Sequence, residues 1–292
     1  METLIVSGAT GALGQRTITE LEKWDVVIYA LERKQGTLKK TDRIIPITVN
    51  DFWKMNTKLK NMIVLNMAFP RKADGQSVME GIDFTRKFAE HCRTLGAQKI
   101  INISSQSVYN PQRRGPASEL DITSPESLYG VGKDYCEKWL NEWSRRYNVP
   151  VINARMASLV GVEFPKRITT RLVENALNDK KICISGKDNV FSFLHIKDAA
   201  QAVLRIVEKS RDESCVYNVG TAENYTLEEI AKVIGKKIDN VTIDIIENQN
   251  PSINRAIDVS KFEHDFNWKA SITLEDIVDE AVREKKRGVV NE

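Results

Sequence analysis

Tyr129 and Lys133 stand four residues apart in Tyr129-Gly-Val-Gly-Lys133, near the start of a stretch, 127–147, whose pattern predicts a helix. On a helix that spacing puts both side chains on one face. A phenol with the ordinary pKa of about 10 is a poor acid or base at neutral pH, and a neighbouring ammonium stabilises the phenolate and lowers that value. The pair therefore reads as proton-transfer chemistry, although the same spacing also describes a surface Tyr–Lys contact. What favours the first reading lies upstream, where the apolar run 99–103 leads into Ser104-Ser105-Gln106-Ser107-Val-Tyr109. Small hydroxyls after a parallel strand sit at its carboxyl edge, where open α/β sheets bind ligands. A serine there can donate to a substrate oxygen while the tyrosine moves the proton.

A third group could hold an anion. Gly8-Ala-Thr10-Gly11-Ala12-Leu13-Gly14 follows the first apolar run, 4–7, and opens a predicted helix over 13–23. Backbone N–H groups at a helix start favour negative charge, and glycine lets a ligand approach closely. This GxxGxxG run fits a dinucleotide pyrophosphate, and equally a tight strand-to-helix turn. Glu32 closes the second apolar run, where a carboxylate can accept from both ribose hydroxyls and repel a 2′-phosphate. Arg33 and Lys34 follow at once and could instead attract that phosphate, so NAD is favoured while NADP stays open.

These residues need a scaffold, and the first half of the chain supplies its pattern. Short apolar runs at 4–7, 26–31, 44–48, 62–67, 99–103 and 151–154 alternate with amphipathic stretches at 13–23, 52–59, 78–95 and 127–147. Continuously apolar strands imply a sheet covered on both faces, hence an α/β, doubly wound parallel sheet. Beyond about residue 155 the order loosens, with strands expected at 181–184 and 215–219 and helices at 167–177, 199–209, 227–234 and 274–285. The expected division is 1–155 for the dinucleotide and 156–292 for a smaller C-terminal α/β substrate lobe, with some segments returning to the sheet.

Composition narrows the classes further. Lys+Arg 43 against Asp+Glu 40 leaves +3 in 292 residues, without the basic stripe a nucleic-acid partner would require. Apolar runs fall far short of the ~18 residues that span a bilayer. Met1-Glu-Thr carries no basic leader region, and the four cysteines and three histidines form no ligand spacing. A reduced, metal-free, cytoplasmic protein is expected.

With these residues in place, the sequence resembles the extended short-chain dehydrogenase/reductases, the NAD-dependent epimerase/dehydratase family, over nearly its whole length. GATGALG is similar to the family's glycine motif, and Ser105, Tyr129 and Lys133 match its Ser, Tyr and Lys. Asn50-Asp51-Phe52 resembles its "GDL" turn, and Leu65-Asn-Met67-Ala68-Phe its "HLAA" strand end. Glu119 ahead of Ser124-Pro125, Arg155 through Ser158 to Gly161, Phe193-Leu-His195, Tyr217-Asn-Val-Gly220 and Asp258 through Trp268 continue the series in order.

The resemblance implies a Rossmann fold and hydride transfer at a hydroxyl- or carbonyl-bearing carbon, most naturally of a nucleotide-sugar. By it, Tyr129 is the acid/base, Ser105 binds the reacting oxygen, and Lys133 tunes the tyrosine and holds the nicotinamide ribose. Gly8, Thr10, Gly11, Ala12, Leu13 and Gly14 would seat the pyrophosphate, Glu32 and Arg33 would meet the adenosine ribose, and Asp51 and Phe52 the adenine. Met67 and Ala68 would lie beside the cofactor. Ser105, Gln106, Ser107, Ser158, Phe191 and Arg255 would touch substrate. The helices over 78–95 and 127–147 would pair in a homodimer, while the Trp139 and Trp143 stripe on the second is most simply core packing.

Departures from the family pattern bear on the substrate. Gln106 and Ser107 stand where dehydratases carry an Asp-Glu pair, which disfavours elimination. Ser158 replaces the usual Asn, Phe191 stands in the place of a phosphate-binding Arg, and no Arg lies near 248–250. Arg167, Arg171 or Arg255 could substitute, or be surface charges. A carbonyl reductase with a non-nucleotide substrate is the alternative enzyme, and a non-enzymatic dinucleotide sensor the alternative from another class. His195 reads as a packed structural residue and Cys136 as a small core residue.

Overall fold

The computed structural model describes residues 2–70, 74–209 and 213–290, with side chains through residue 287. The chain runs β1 (Glu2–Ser7), α1 (Ala12–Leu21), β2 (Val26–Glu32), β3 (Ile44–Thr48), α2 (Val49–Phe52), β4 (Met62–Asn66), α3 (Gly75–Thr94) and β5 (Ala97–Ser105). A 3-10 turn over Gln106–Val108 precedes α4 (Leu128–Tyr147), β6 (Val151–Met156), β7 (Ser158–Val160), α5 (Ile168–Asp179), β8 (Lys181–Ser185) and β9 (Val190–His195). The remainder is α6 (Ile196–Lys209), β10 (Cys215–Val219), β11 (Asn224–Thr226), α7 (Leu227–Lys237), β12 (Thr242–Ile246), α8 (Ser260–Phe266) and α9 (Leu274–Val290).

Seven strands form one parallel sheet in the order β10-β6-β5-β4-β1-β2-β3. Strands β4 and β6 are buried along their whole length, because helices cover both faces. Leu13, Ile18 and Leu21 of α1 join Ala199, Val203 and Val207 of α6 in the core on one face. Phe88 and Cys92 of α3 and Leu140 and Trp143 of α4 fill the other. This is the doubly wound, Rossmann-type sheet, and its order reverses between β1 and β4, opening a crevice at their carboxyl ends. A second core, with Val173, Ile182, Phe193, Ile230 and Val278, gathers α5, α7 and α9 around the parallel pair β8–β12 and the β11-β9-β7 sheet. Residues beyond 155 thus build that lobe and also return α6 and β10 to the main sheet.

A row of buried amides crosses the sheet just below its carboxyl edge. Ser7 Oγ donates to Asn66 Oδ1 (2.8 Å), Asn66 Nδ2 to Asn102 Oδ1 (3.0 Å), Asn102 Nδ2 to Asn153 Oδ1 (2.8 Å), and Asn153 Nδ2 to Asn141 Oδ1 on α4 (3.0 Å). The strand residues are register partners: Ser7 with Asn66, Asn66 with Asn102, Asn102 with Asn153. A one-residue slip would strand these amides in apolar surroundings, so the row holds four strands and α4 in a single alignment.

Two expectations from the sequence change. The helix expected over 52–59 is instead the four-residue α2, because Thr48 Oγ1 accepts from the Asp51 N–H and starts it earlier. It stops at Trp53, whose ring packs on Phe52 and Phe84. Strands β7, β9, β11 and β12 and helix α8 were not anticipated, since three to seven residues with mixed exposure carry little periodicity.

Candidate active site

Strand β5 ends in Ser104 and Ser105. The Ser105 hydroxyl accepts the Ser107 N–H (3.1 Å) and donates to Ser107 Oγ (3.2 Å), capping the 3-10 turn. Against this turn lies the first turn of α4, which begins where Ser127 Oγ accepts the Gly130 N–H. Gly130 touches the Ser107 carbonyl so closely that a Cβ would collide with it. Tyr129 lies on this first turn, its ring edge to face with Phe69, and one turn later the buried Lys133 donates from Nζ to the Ile103 carbonyl (2.7 Å). The structure therefore brings Ser105, Tyr129 and Lys133 to one end of β5. Burial pushes the Lys133 ammonium down to about 8, with Cys136 and Glu137 opposing the shift.

A fully paired network backs this wall. Arg155 on β6 forks onto Glu137 of α4 through Nε (3.0 Å) and Nη2 (2.7 Å), and Ser104 Oγ also donates to Glu137. Arg155 Nη1 donates to Tyr109 Oη (2.7 Å), which donates onward to Asn218 Oδ1 (2.8 Å). Glu119 accepts the Asn218 N–H (2.8 Å), joining the loop before α4 to β10. These residues sit inside the motifs resembling the family, and the structure shows them holding α4 on β5 and β6.

At the head of the crevice, Gly8 has a φ of +69° and lies on the β4 end, where a Cβ would stand 2.7 Å from the Met67 carbonyl carbon. A Cβ on Gly14 would collide with the Gly8 carbonyl, so α1 starts flush against the loop. Met67 and Ala68 border this cradle, the Ala68 N–H reaching Ser7 Oγ (3.3 Å). Gly11 caps α1 with no side-chain hydrogen bond, so the amides at Ala12 and Leu13 meet no capping side chain. Such a cradle accommodates a pyrophosphate.

Other expected cofactor residues are placed differently. Glu32 is 2% exposed, and its carboxylate accepts the Gly36 and Leu38 N–H groups (2.9 Å each), which ties the β2–β3 connection to the strand end. Arg33 beside it is exposed. Asp51 is occupied by Thr48 Oγ1 (2.7 Å) and Lys54 (2.8 Å), and both hold its carboxyl below the usual range. Phe52 is entirely buried among Phe88 and His91, and His91 bonds its carbonyl (2.8 Å).

On the substrate side, buried Gln106 donates to Ser158 Oγ (3.2 Å), while its Oε1 has no partner among the described residues. Phe191 stacks on Phe193 (6.1 Å, 3°) and packs against the lobe core. The Arg255 side chain is exposed and its N–H bonds the Val190 carbonyl (2.9 Å). His195 is buried: the Lys197 N–H donates to Nδ1 (3.3 Å), leaving Nε2–H for Glu280 (2.9 Å), the packed structural role expected of it. Cys136 is buried as expected. Phe69, just beyond Ala68, was not singled out from the sequence, and its ring meets both Tyr129 and Lys133.

A sequence model of the NAD dependent epimerase/dehydratase family matches residues 4–220. The chain belongs to that family. As a member it is an enzyme of the extended short-chain dehydrogenase/reductase type. A dTDP-4-dehydro-6-deoxyglucose reductase from Escherichia coli is 21% identical over 307 residues, covering 96% of this chain and 96% of that protein. The solved UDP-glucose 4-epimerase of Thermotoga maritima, with UDP-glucose, has a TM-score of 0.82 at 18% identity and covers 99% of this chain and 100% of its own. The UDP-glucuronic acid 4-epimerase of Bacillus cereus, in complex with UDP-glucuronic acid and NAD, scores 0.81 at 22% identity and covers 98% and 99%. These structures share the fold. Among the described residues no helix is long and apolar enough to cross a membrane, and no cluster of side chains could hold a metal ion.

Proposed function

We propose that the protein transfers a hydride at a hydroxyl- or carbonyl-bearing carbon of a nucleotide-linked sugar, and that reduction of a keto-sugar is its reaction. The observation that carries this reading is the buried Lys133 ammonium one helical turn from Tyr129, both against the end of β5 that bears Ser105. A bound nicotinamide dinucleotide supplies the hydride, and the cradle of Gly8, Thr10, Gly11, Ala12, Leu13 and Gly14 would seat its pyrophosphate, bordered by Met67 and Ala68. The Ser105 hydroxyl donates to the carbonyl oxygen. Tyr129 gives its phenolic proton to that oxygen as it becomes an alkoxide, and the Lys133 ammonium stabilises the phenolate left behind.

Reduction is supported by the near-complete coverage of the E. coli reductase, and by Gln106 and Ser107, which lack the carboxyl acid/base pair that eliminating water would need. The unpartnered Gln106 Oε1, beside Ser158, would accept from a sugar hydroxyl. A non-nucleotide carbonyl substrate is the second reading, favoured by Phe191, which puts an aromatic ring where a phosphate-binding guanidinium would serve a nucleotide. A homodimer belongs to the first reading, through exposed Met79 on α3 and Leu128, Val131 and Tyr135 on α4. Sedimentation at micromolar concentration is expected to give a dimer, and a monomer would count against it.

The test is a panel of dTDP- and UDP-linked 4-keto sugars with reduced dinucleotide, followed at the nicotinamide absorbance band. Oxidation of the dinucleotide with at least one of them is the expected result. Turnover only with simple ketones or aldehydes would favour the second reading.

A further inference from the structure

The Phe69 ring occupies a position that both helices beside the site are shaped to admit. Its centroid lies 5.7 Å from that of Tyr129, edge to face at 81°, and 4.5 Å from Lys133 Nζ. On α3, a Cβ at Gly81 would come within 2.8 Å of the ring's Cε2; on α4, a Cβ at Gly132 would come within 2.8 Å of its Cζ. Either methyl group would force the ring to move. Val78, Ile82 and Cys136 enclose the ring together with these glycines. We propose that Phe69 is a positioning residue that keeps the Lys133 ammonium charged and aligned with Tyr129 by laying a π-face on it. This rests on the catalytic reading of Tyr129 and Lys133 given above.

The physical need is plain. Lys133 is 4% exposed, and its ammonium donates to the Ile103 carbonyl. A desolvated ammonium with so few acceptors is costly, and a ring face within about 6 Å supplies on the order of 0.5–2 kcal/mol of attraction without adding a proton acceptor. The charged and titratable groups facing Lys133 are few. Tyr129, Cys136 and Glu137 lie on α4 itself, and Glu137 is neutralised by Arg155 of β6. From β5 comes the Ile103 carbonyl, and among the described residues the adjoining α3 face contributes Val78, Gly81, Ile82 and Thr85, none of which titrates. Among the described residues no carboxylate bonds the ammonium, so the ring is the charge-stabilising neighbour that sequence variation can remove. An acidic residue at 69 would hold the charge better but would compete with Tyr129 for protons, whereas a ring does not.

The experiment is a pH titration of Lys133 in the full-length protein by carbon-detected NMR of ε-labelled lysine, assigned with Lys133→Met. Phe69→Leu is expected to lower the Lys133 midpoint by about one pH unit, the scale set by the ring's attraction. Phe69→Tyr is expected to retain the wild-type midpoint. Phenylalanines carrying one, two or five ring fluorines at position 69 preserve shape while draining the π-face, so a stepwise fall is expected even if Phe69→Leu fails to fold. Midpoints unchanged across the fluorinated series would overturn the proposal. Because neither substrate nor dinucleotide is present, that outcome is separable from failure of the catalytic reading, which turnover of Tyr129→Phe decides.

Discussion

On the wall built by β5, β6 and α4, a connected network pairs Glu137 with Arg155 and Ser104, Tyr109 with Arg155 and Asn218, and three asparagines with one another, Ser7 and Asn141. On the substrate side the pattern reverses, with an orphaned Gln106 Oε1 and an exposed Arg255. A wall that must hold a tyrosine and an ammonium in register with a dinucleotide gains from being complete before any ligand arrives. On our proposal, the side that meets the substrate keeps hydrogen-bonding capacity for it. We read this contrast as a division of labour, and it can be broken one residue at a time.

The largest stability effect is expected at Glu137. Glu137→Ala leaves the Arg155 guanidinium buried without its counterion, a change that costs about 3–5 kcal/mol, measurable by urea unfolding. A loss below about 1 kcal/mol would mean that water reaches Arg155 and the wall is not preorganised. Next comes the amide row: Asn102→Leu should cost on the order of 1–3 kcal/mol by orphaning Asn66 Nδ2 and Asn153 Oδ1, and a neutral result would deny the row its aligning role.

A smaller effect belongs to Lys133. Its folded pKa is about 8 against 10.5 for the free side chain, so between those values the unfolded chain binds more protons. Stability is therefore expected to rise with pH across that window, and Lys133→Met should flatten the rise in unfolding curves taken at pH 7.5, 9 and 10. The smallest effect is predicted on the other side of the cleft. Arg255→Ala should shift stability by no more than about 0.5 kcal/mol, as exposed charges do, while weakening substrate binding. A loss comparable to that of Glu137→Ala would erase the contrast between the two sides.

How far the sequence carried the reading follows the same division. The glycine cradle, β5 and α4 carry clear local patterns, so the elements that bear Ser105, Tyr129 and Lys133 were legible before any coordinates. The amide row was hidden because one asparagine in an otherwise apolar strand looks like noise; only the register shows that Asn66, Asn102 and Asn153 are neighbours. The partners of Glu32 within the protein were hidden for a related reason. Position at a strand end suggested a ribose, but the amides that claim it come from residues 36 and 38, whose loop conformation no periodicity reveals. Phe69 escaped because its partners, Gly81 and Gly132, lie on two other elements. In the lobe, three-residue strands such as β7 and β11 owe their pairing to tertiary contacts more than to local pattern.

The central claim is that Tyr129 moves the proton on a wall that already holds the dinucleotide and the ammonium. It is tested most directly by comparing Tyr129→Phe with the wild type, measuring dinucleotide affinity by calorimetry and turnover on whichever keto-sugar nucleotide the wild type reduces. Unchanged affinity with a fall in turnover of about 10²–10⁴-fold is the predicted result. Turnover within a few-fold of wild type would contradict it.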